Sequence, residues 1–153
     1  MKNKAQRKTE IESTLKAIDL YSDEAVSLML GTCAQESAFG RYRSQFGNGP
    51  ALGIYQMEPF TYNDCFVNFL KYNPDLFAKI LKVSGLNQFP DAEEMVNNDV
   101  FAACMCRVRY LRAPGSIPKT LEGQAAYWKQ HYNTRLGKGT VEEYLKNWRR
   151  FCE

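Results

Sequence analysis

The longest apolar run of the chain predicts a helix that is buried nearly all round. Ser22 is a good N-cap, two acidic residues suit the first turn, and the apolar residues 25–34 follow. These residues leave no clean polar face, so the helix belongs in a core. Gly40 predicts its end, which places Glu36 in the last turn.

Further segments with helical spacing of apolar residues make the predicted fold mainly α, with about eight helices around this buried central helix. The other predicted helices are 10–21, 61–72, 75–83, a short one from Asp91, 99–111, 121–131 and 141–151. The basic residues 1–9 are predicted to be a frayed tail. Residues 41–56, rich in Gly, are predicted to be a loop with a short β-region.

Size and composition favour one domain over residues 1–153. Hydrophobic residues make up 44% of the chain, which is enough for a real core. Five cysteines cannot all pair with one another, and a single His with no C-x-x-C pair gives no zinc pattern. We therefore expect buried, reduced thiols, no metal site and no cofactor.

Charge and hydropathy narrow the function classes. The net charge of +3 falls short of the basic surface typical of nucleic-acid binding, so no nucleic-acid partner is expected. The polar start has no apolar segment of the signal-peptide kind, and the longest apolar run is too short for a membrane span. The sequence thus predicts a protein made in the cytoplasm, with no membrane insertion.

Glu36 is the acid with the most apolar surroundings in the sequence. Burial disfavours its charged form, and the partial negative charge of a helix C-terminus disfavours it again. Both effects raise its pKa towards neutrality, which is the state that a general acid for a glycosidic oxygen needs. The alternative is a carboxylate that reaches solvent at a frayed helix end.

Four short blocks resemble, in order, those of lytic transglycosylases with a soluble-transglycosylase domain. The blocks are Glu36-Ser37, Gly53-Ile54-Tyr55-Gln56, Tyr132-Asn133 and Glu143-Tyr144. The resemblance covers roughly residues 22–150 and is strongest to small phage-encoded members. His131 departs from the Ala of the third block.

This resemblance implies a lysozyme-like fold and cleavage of the MurNAc-β-1,4-GlcNAc bond of peptidoglycan with formation of 1,6-anhydro ends. Glu36 would be the catalytic acid and then base. The implied substrate-binding residues are Ser37, Gln56, Tyr55, Tyr132, Asn133 and Tyr144. Glu58 is a candidate second carboxylate, because in an extended segment it would share the face of Gln56; the alternative is a solvated Glu before Pro59.

The expected partners are peptidoglycan glycan strands, together with phage tail or other virion proteins. A wall-cleaving protein without a signal segment would reach the wall inside the virion or by release at host lysis. Two alternatives stay open at this point. One is a virion structural protein that keeps a lysozyme-like fold with weak or no activity, and the other is a hydrolase, either a muramidase or a chitinase-like enzyme.

Overall fold

The computed structural model describes residues 1–44, 49–133 and 137–153, and within them the protein is mainly helical. Only isolated β-bridges occur there, so the prediction of a mainly α fold is confirmed. The eight α-helices of these ranges are α1 (Lys4–Ala17), α2 (Asp23–Ser37), α3 (Pro59–Val67), α4 (Pro74–Ser84), α5 (Glu94–Asn97), α6 (Asp99–Leu111), α7 (Leu121–Trp128) and α8 (Val141–Cys152).

Helix α2 is the central element, and α1, α6, α7 and α8 pack around it. The Ser22 side chain accepts a hydrogen bond from the Ala25 amide, as the N-cap prediction requires. The helix ends at Ser37, where Ala38 adopts a left-handed conformation with φ of 49°. Glu36 therefore lies in the last turn of a buried helix, as predicted.

Helix α8 approaches α2 closely because Gly31 has no side chain at the crossing. A Cβ atom at Gly31 would overlap the phenol ring of Tyr144. The fully buried Tyr144 donates its hydroxyl hydrogen to the Leu28 carbonyl over 3.1 Å. This contact fixes where α8 begins relative to the C-terminal half of α2.

The predicted frayed tail at residues 1–9 is wrong. Helix α1 begins at Lys4, and Asn3 and Gln6 form a reciprocal capping box at its start. Arg7, within the supposed tail, is fully buried. The hydrophobic pattern did not predict this turn, because Arg7 is buried through ion pairs with Glu10 and with Asp99, which lies far along the chain.

A buried ion cluster joins α1, α6 and the loop after α2. Arg7 lies 2.9 Å from Glu10 and 3.1 Å from Asp99, and Arg43 lies 3.0 Å from the same Asp99 oxygen. The Arg43 carbonyl in turn accepts a hydrogen bond from the Gly53 amide over 2.6 Å. The cluster thereby anchors the loop that leads to Gln56.

This loop is a tight turn with two isolated bridges. Leu52 pairs with Ser44 on one side and with Met57 on the other. The predicted loop character is confirmed in the described part of 41–56, and residues 45–48 lie outside the described ranges. In the described part of this loop, the predicted short β-region consists of these two bridges.

Two predicted helices end differently from the prediction. The segment 61–72 is divided into α3 and a 3-10 turn, Leu70–Tyr72. Helix α7 ends at Trp128 and is followed by a π-helical turn, Lys129–Asn133.

All five cysteines are free and buried. No helix in the described ranges is long and apolar enough to cross a membrane.

Asp99→Asn should destabilise the fold by about 3 kcal/mol at pH 7, because it leaves the buried Arg7 short of a counter-charge. Burial alone would raise the pKa of Asp99, but hydrogen bonds from Arg43 and Arg7 outweigh it and hold the pKa below 3.8. The stabilisation is therefore present above about pH 4 and is lost as the pH falls through the lowered pKa.

Urea unfolding at pH 7 and pH 3 measures this effect, and the penalty of Asp99→Asn should shrink at the lower pH. Asp64→Asn is the matched control, because Asp64 pairs with Arg112 at the surface. Equal penalties for the two variants at pH 7 would contradict the role given to the buried cluster.

Candidate active site

A cleft of about 700 Å³ opens at the C-terminal end of α2. Segments distant in sequence meet there, namely the end of α2, the loop before α3, helix α6, the turn after α7 and the start of α8. The lining includes Glu36, Gln56, Glu58, Arg109, Tyr132 and Asn133. A cleft of this size suits a small part of a polymer chain or a ligand of drug size.

Glu36 combines a buried environment with access to this cleft. Burial raises its pKa from the usual 4.5 to about 7, against the opposing effects of a hydrogen bond from Trp128 and the positive charge of Arg109. The Trp128 indole N–H donates to the carboxyl group over 3.0 Å. Near neutral pH the group is thus divided between its acid and its carboxylate forms.

Trp128 is a residue of this site that was not predicted from the sequence. Its ring is fully buried and lies 5.3 Å from the ring of Tyr144, so the indole N–H is held towards Glu36. Tyr144, implied above as a substrate-binding residue, does not line the cleft, because it is fully buried and its hydroxyl is bonded to the Leu28 carbonyl. Tyr144 acts on the acid only through the packing of Trp128.

Gln56 lies in the same cleft as Glu36, although the two residues are twenty positions apart in sequence. Its backbone is left-handed with φ of 50°, which is rare for a residue other than glycine. The side-chain amide donates to the Gly53 carbonyl over 2.8 Å and closes the turn. Gln56 therefore lines the cleft from a turn that its own side chain closes.

Ser37 and Tyr55 are buried outside the lining of the cleft, so their prediction as substrate contacts is corrected. The Ser37 hydroxyl donates to the Ile54 carbonyl over 2.7 Å and accepts from the Gly40 amide over 2.8 Å. Only the backbone of Tyr55 serves the site, since its carbonyl accepts from the Tyr132 hydroxyl over 2.6 Å. Both residues fasten the Gln56 loop to its neighbours.

Tyr132 and Asn133 line the cleft from the π-helical turn after α7. The Tyr132 ring is largely buried, and its hydroxyl is used on the Tyr55 carbonyl. The Asn133 side-chain oxygen accepts from the Lys129 ammonium over 2.7 Å. Both residues thus lie at the cleft with side-chain polar groups already bonded within the protein.

Glu58 also lines the cleft and is exposed, immediately before α3. The extended segment assumed for Gln56 and Glu58 is wrong, because the left-handed Gln56 breaks it. Three charged residues of the lining were not predicted as site residues: Arg109, Lys138 and Glu143. A signal for Arg109 is its charge in the apolar stretch of α6, but Arg107 shares this signal, so the sequence alone does not single it out.

The arrangement offers proton transfer from one carboxyl group within a cleft that carries several other charges. Among the described residues, no group of three or more His, Cys, Asp or Glu side chains is placed to hold a metal ion. Searches with the chain found no matching family model, curated protein or solved structure. The functional assignment therefore depends on the chemistry of the cleft.

Glu36→Gln should stabilise the folded protein at pH 8 by roughly 1–3 kcal/mol. The folded protein resists ionising Glu36, whereas the unfolded chain ionises it near the usual pKa of 4.5. Wild-type stability should therefore fall relative to the variant as the pH rises from about 4.5 through about 7. Urea unfolding across pH 4–8 measures the difference, and Glu58→Gln is the exposed control from the same cleft.

A pH-independent difference between wild type and Glu36→Gln would show that Glu36 is not the perturbed group of the cleft.

Trp128→Phe should raise the pKa of Glu36 above its wild-type value, because the indole N–H stabilises the carboxylate and a phenyl ring has no donor. Titration of ¹³C-labelled glutamate carboxyl groups by NMR reports this pKa directly. The matched control is Trp148→Phe, since the Trp148 indole N–H has no hydrogen-bond partner among the described residues. A lower or unchanged midpoint in Trp128→Phe would count against the bond.

Proposed function

We propose that the protein is a lytic transglycosylase that cleaves the MurNAc-β-1,4-GlcNAc bond of peptidoglycan and leaves 1,6-anhydro-MurNAc ends. The observation that carries the proposal is the Glu36 carboxyl, which ends a buried helix at a cleft and has a pKa of about 7. A group of this kind can give a proton and take one back at the same pH. The sequence blocks around Glu36 and Gln56 supply the substrate class.

In the proposed reaction, neutral Glu36 gives its proton to the glycosidic oxygen as the bond from C1 to that oxygen breaks. The carboxylate left behind accepts the Trp128 N–H, so its charge is partly stabilised at the moment it forms. The C6 hydroxyl of the same sugar then attacks C1 and returns its proton to Glu36. One carboxyl suffices, and no water is consumed.

The fold proposed with this function is lysozyme-like. Two features support it. The architecture is mainly helical, with a buried helix that ends at the cleft and carries the acid, and the loop before α3 contains two β-bridges. We further propose a phage-encoded protein that acts at the cell wall, either with the virion or after release at lysis. Its partners would be glycan strands and, in the virion, tail proteins.

A hydrolytic muramidase is the second candidate, and two further carboxylates in the cleft favour it. Glu58 and Glu143 both line the cleft that Glu36 lines. Inverting hydrolysis needs a second carboxylate at roughly 6.5–9.5 Å from the acid, with room for a water molecule between them. Glu58 is the better candidate, because Glu143 already accepts a hydrogen bond from Thr140.

Glu36→Gln should lower the rate of cleavage of purified peptidoglycan by about 10²–10⁴-fold, because an amide cannot supply the proton. The measurement is release of soluble fragments from purified walls, followed by mass spectrometry of the products. Products of the proposed reaction are lighter by one water than the reducing ends of a hydrolase. Glu122→Gln, on the exposed face of α7, is the matched control.

Equal cleavage by wild type and Glu36→Gln would overturn the assignment of the acid. Reducing ends that disappear in Glu58→Gln would select the hydrolase instead. Absence of cleavage by the wild type, with binding to virion proteins, would select a structural role.

A further inference from the structure

Arg109 is a cation held rigidly in the wall of the cleft. It extends from the buried helix α6, and its guanidinium carbon lies 4.3 Å from the centre of the Tyr132 ring. One guanidinium N–H donates to the Tyr132 carbonyl over 2.6 Å. Stacking and this bond together fix the group at the lining of the cleft.

Among the described residues, Arg109 lines the cleft without a carboxylate partner. Arg7, Arg43 and Arg112 each lie within 4.0 Å of an Asp or Glu oxygen, whereas Arg109 has no such ion pair in the described ranges. A guanidinium has five N–H donors, and the hydrogen bond to Tyr132 uses one of them. The cation therefore keeps capacity to bind an anion.

The charge of Arg109 acts on Glu36 without a direct ion pair. Burial raises the pKa of Glu36, the Trp128 hydrogen bond lowers it, and the positive charge of Arg109 lowers it as well. The turn after α7 adds Tyr132, whose hydroxyl is bonded to the Tyr55 carbonyl. The other charged groups that line the cleft are Glu58, Lys138 and Glu143.

We propose that Arg109 forms a subsite for the free carboxylate of a muramic acid unit that carries no peptide and couples binding of that carboxylate to protonation of Glu36. The proposal rests on the proposed function, because it deepens the substrate to glycan strands whose muramic acid carboxyl is free rather than amidated by a peptide. A bound carboxylate neutralises the guanidinium and removes the field that favours ionised Glu36. By reciprocity, protonated Glu36 strengthens binding of the anion.

The consequence for the reaction is that the acid form of Glu36 becomes more populated once an anionic saccharide occupies the cleft. A neutral saccharide leaves the charge of Arg109 in place and leaves Glu36 partly ionised near pH 7. The cleft thus favours an anionic saccharide over a neutral one in two ways, by direct contact with Arg109 and by protonation of Glu36. Binding and protonation use the same cation, so a single substitution removes both.

The experiment is NMR titration of ¹³C-labelled glutamate carboxyl groups in the wild type with N-acetylmuramic acid, which carries a carboxylate, or with neutral N-acetylglucosamine. Lactate is a third probe, because it supplies the carboxylate without the sugar. N-acetylmuramic acid should raise the Glu36 midpoint by roughly half a pH unit, and N-acetylglucosamine should leave it unchanged. Its affinity should then be about threefold higher at pH 5 than at pH 9.

Three variants separate charge from geometry. Arg109→Met should raise the midpoint of Glu36 in the free protein and abolish the further rise with N-acetylmuramic acid. Arg109→Lys should keep part of both effects, since it keeps the charge. Arg107→Met is the matched control, because Arg107 lies on the same helix and donates to the Leu20 carbonyl away from the cleft lining.

An unchanged Glu36 midpoint with saturating N-acetylmuramic acid, or the same rise in Arg109→Met, would overturn the subsite. Failure of N-acetylmuramic acid to bind at pH 5 would overturn it too. Lactate alone producing the whole effect would show a site for free carboxylates and would overturn the saccharide assignment. Wall cleavage that persists without the coupling would reject the subsite and leave the proposed function intact.

Discussion

The hydrogen bond from Trp128 to Glu36 is the interaction on which the site depends. A carboxyl at the end of a buried helix is pushed towards its neutral form by burial, and the indole N–H moderates that push. Without burial, Glu36 would be an ordinary carboxylate. Without Trp128, the ionised form of Glu36 would lose the hydrogen bond that stabilises it. The balance leaves both protonation states accessible near neutral pH.

Much of the surrounding structure keeps this pair in place. Tyr144 packs against Trp128 and reaches the Leu28 carbonyl, and Gly31 makes room for it at the helix crossing. The helix that carries Tyr144 thus indirectly sets the position of the donor. Tyr144, which the sequence blocks imply as a substrate-binding residue, is in this fold a packing partner of Trp128.

A second set of contacts holds the opposite wall of the cleft. The ion cluster of Arg7, Asp99 and Arg43 fixes the loop at the Arg43 carbonyl, and the Ser37 hydroxyl fixes it at the Ile54 carbonyl. Gln56 can therefore adopt a left-handed conformation that a free loop would avoid. Buried polar contacts of this loop thus support the wall of the cleft that contains Gln56.

The sequence by itself determined the helices whose caps and apolar spacing are local, such as α2, α6 and α8, and it determined that Glu36 ends a buried helix. These features depend on interactions within a few residues, so the pattern contains them. Only the tertiary structure decided that Trp128 is the partner of Glu36, that Arg7 is buried, and that Ser37 and Tyr55 face the core. Each depends on atoms 17 to 92 positions away in the chain, and local periodicity carries no record of such contacts.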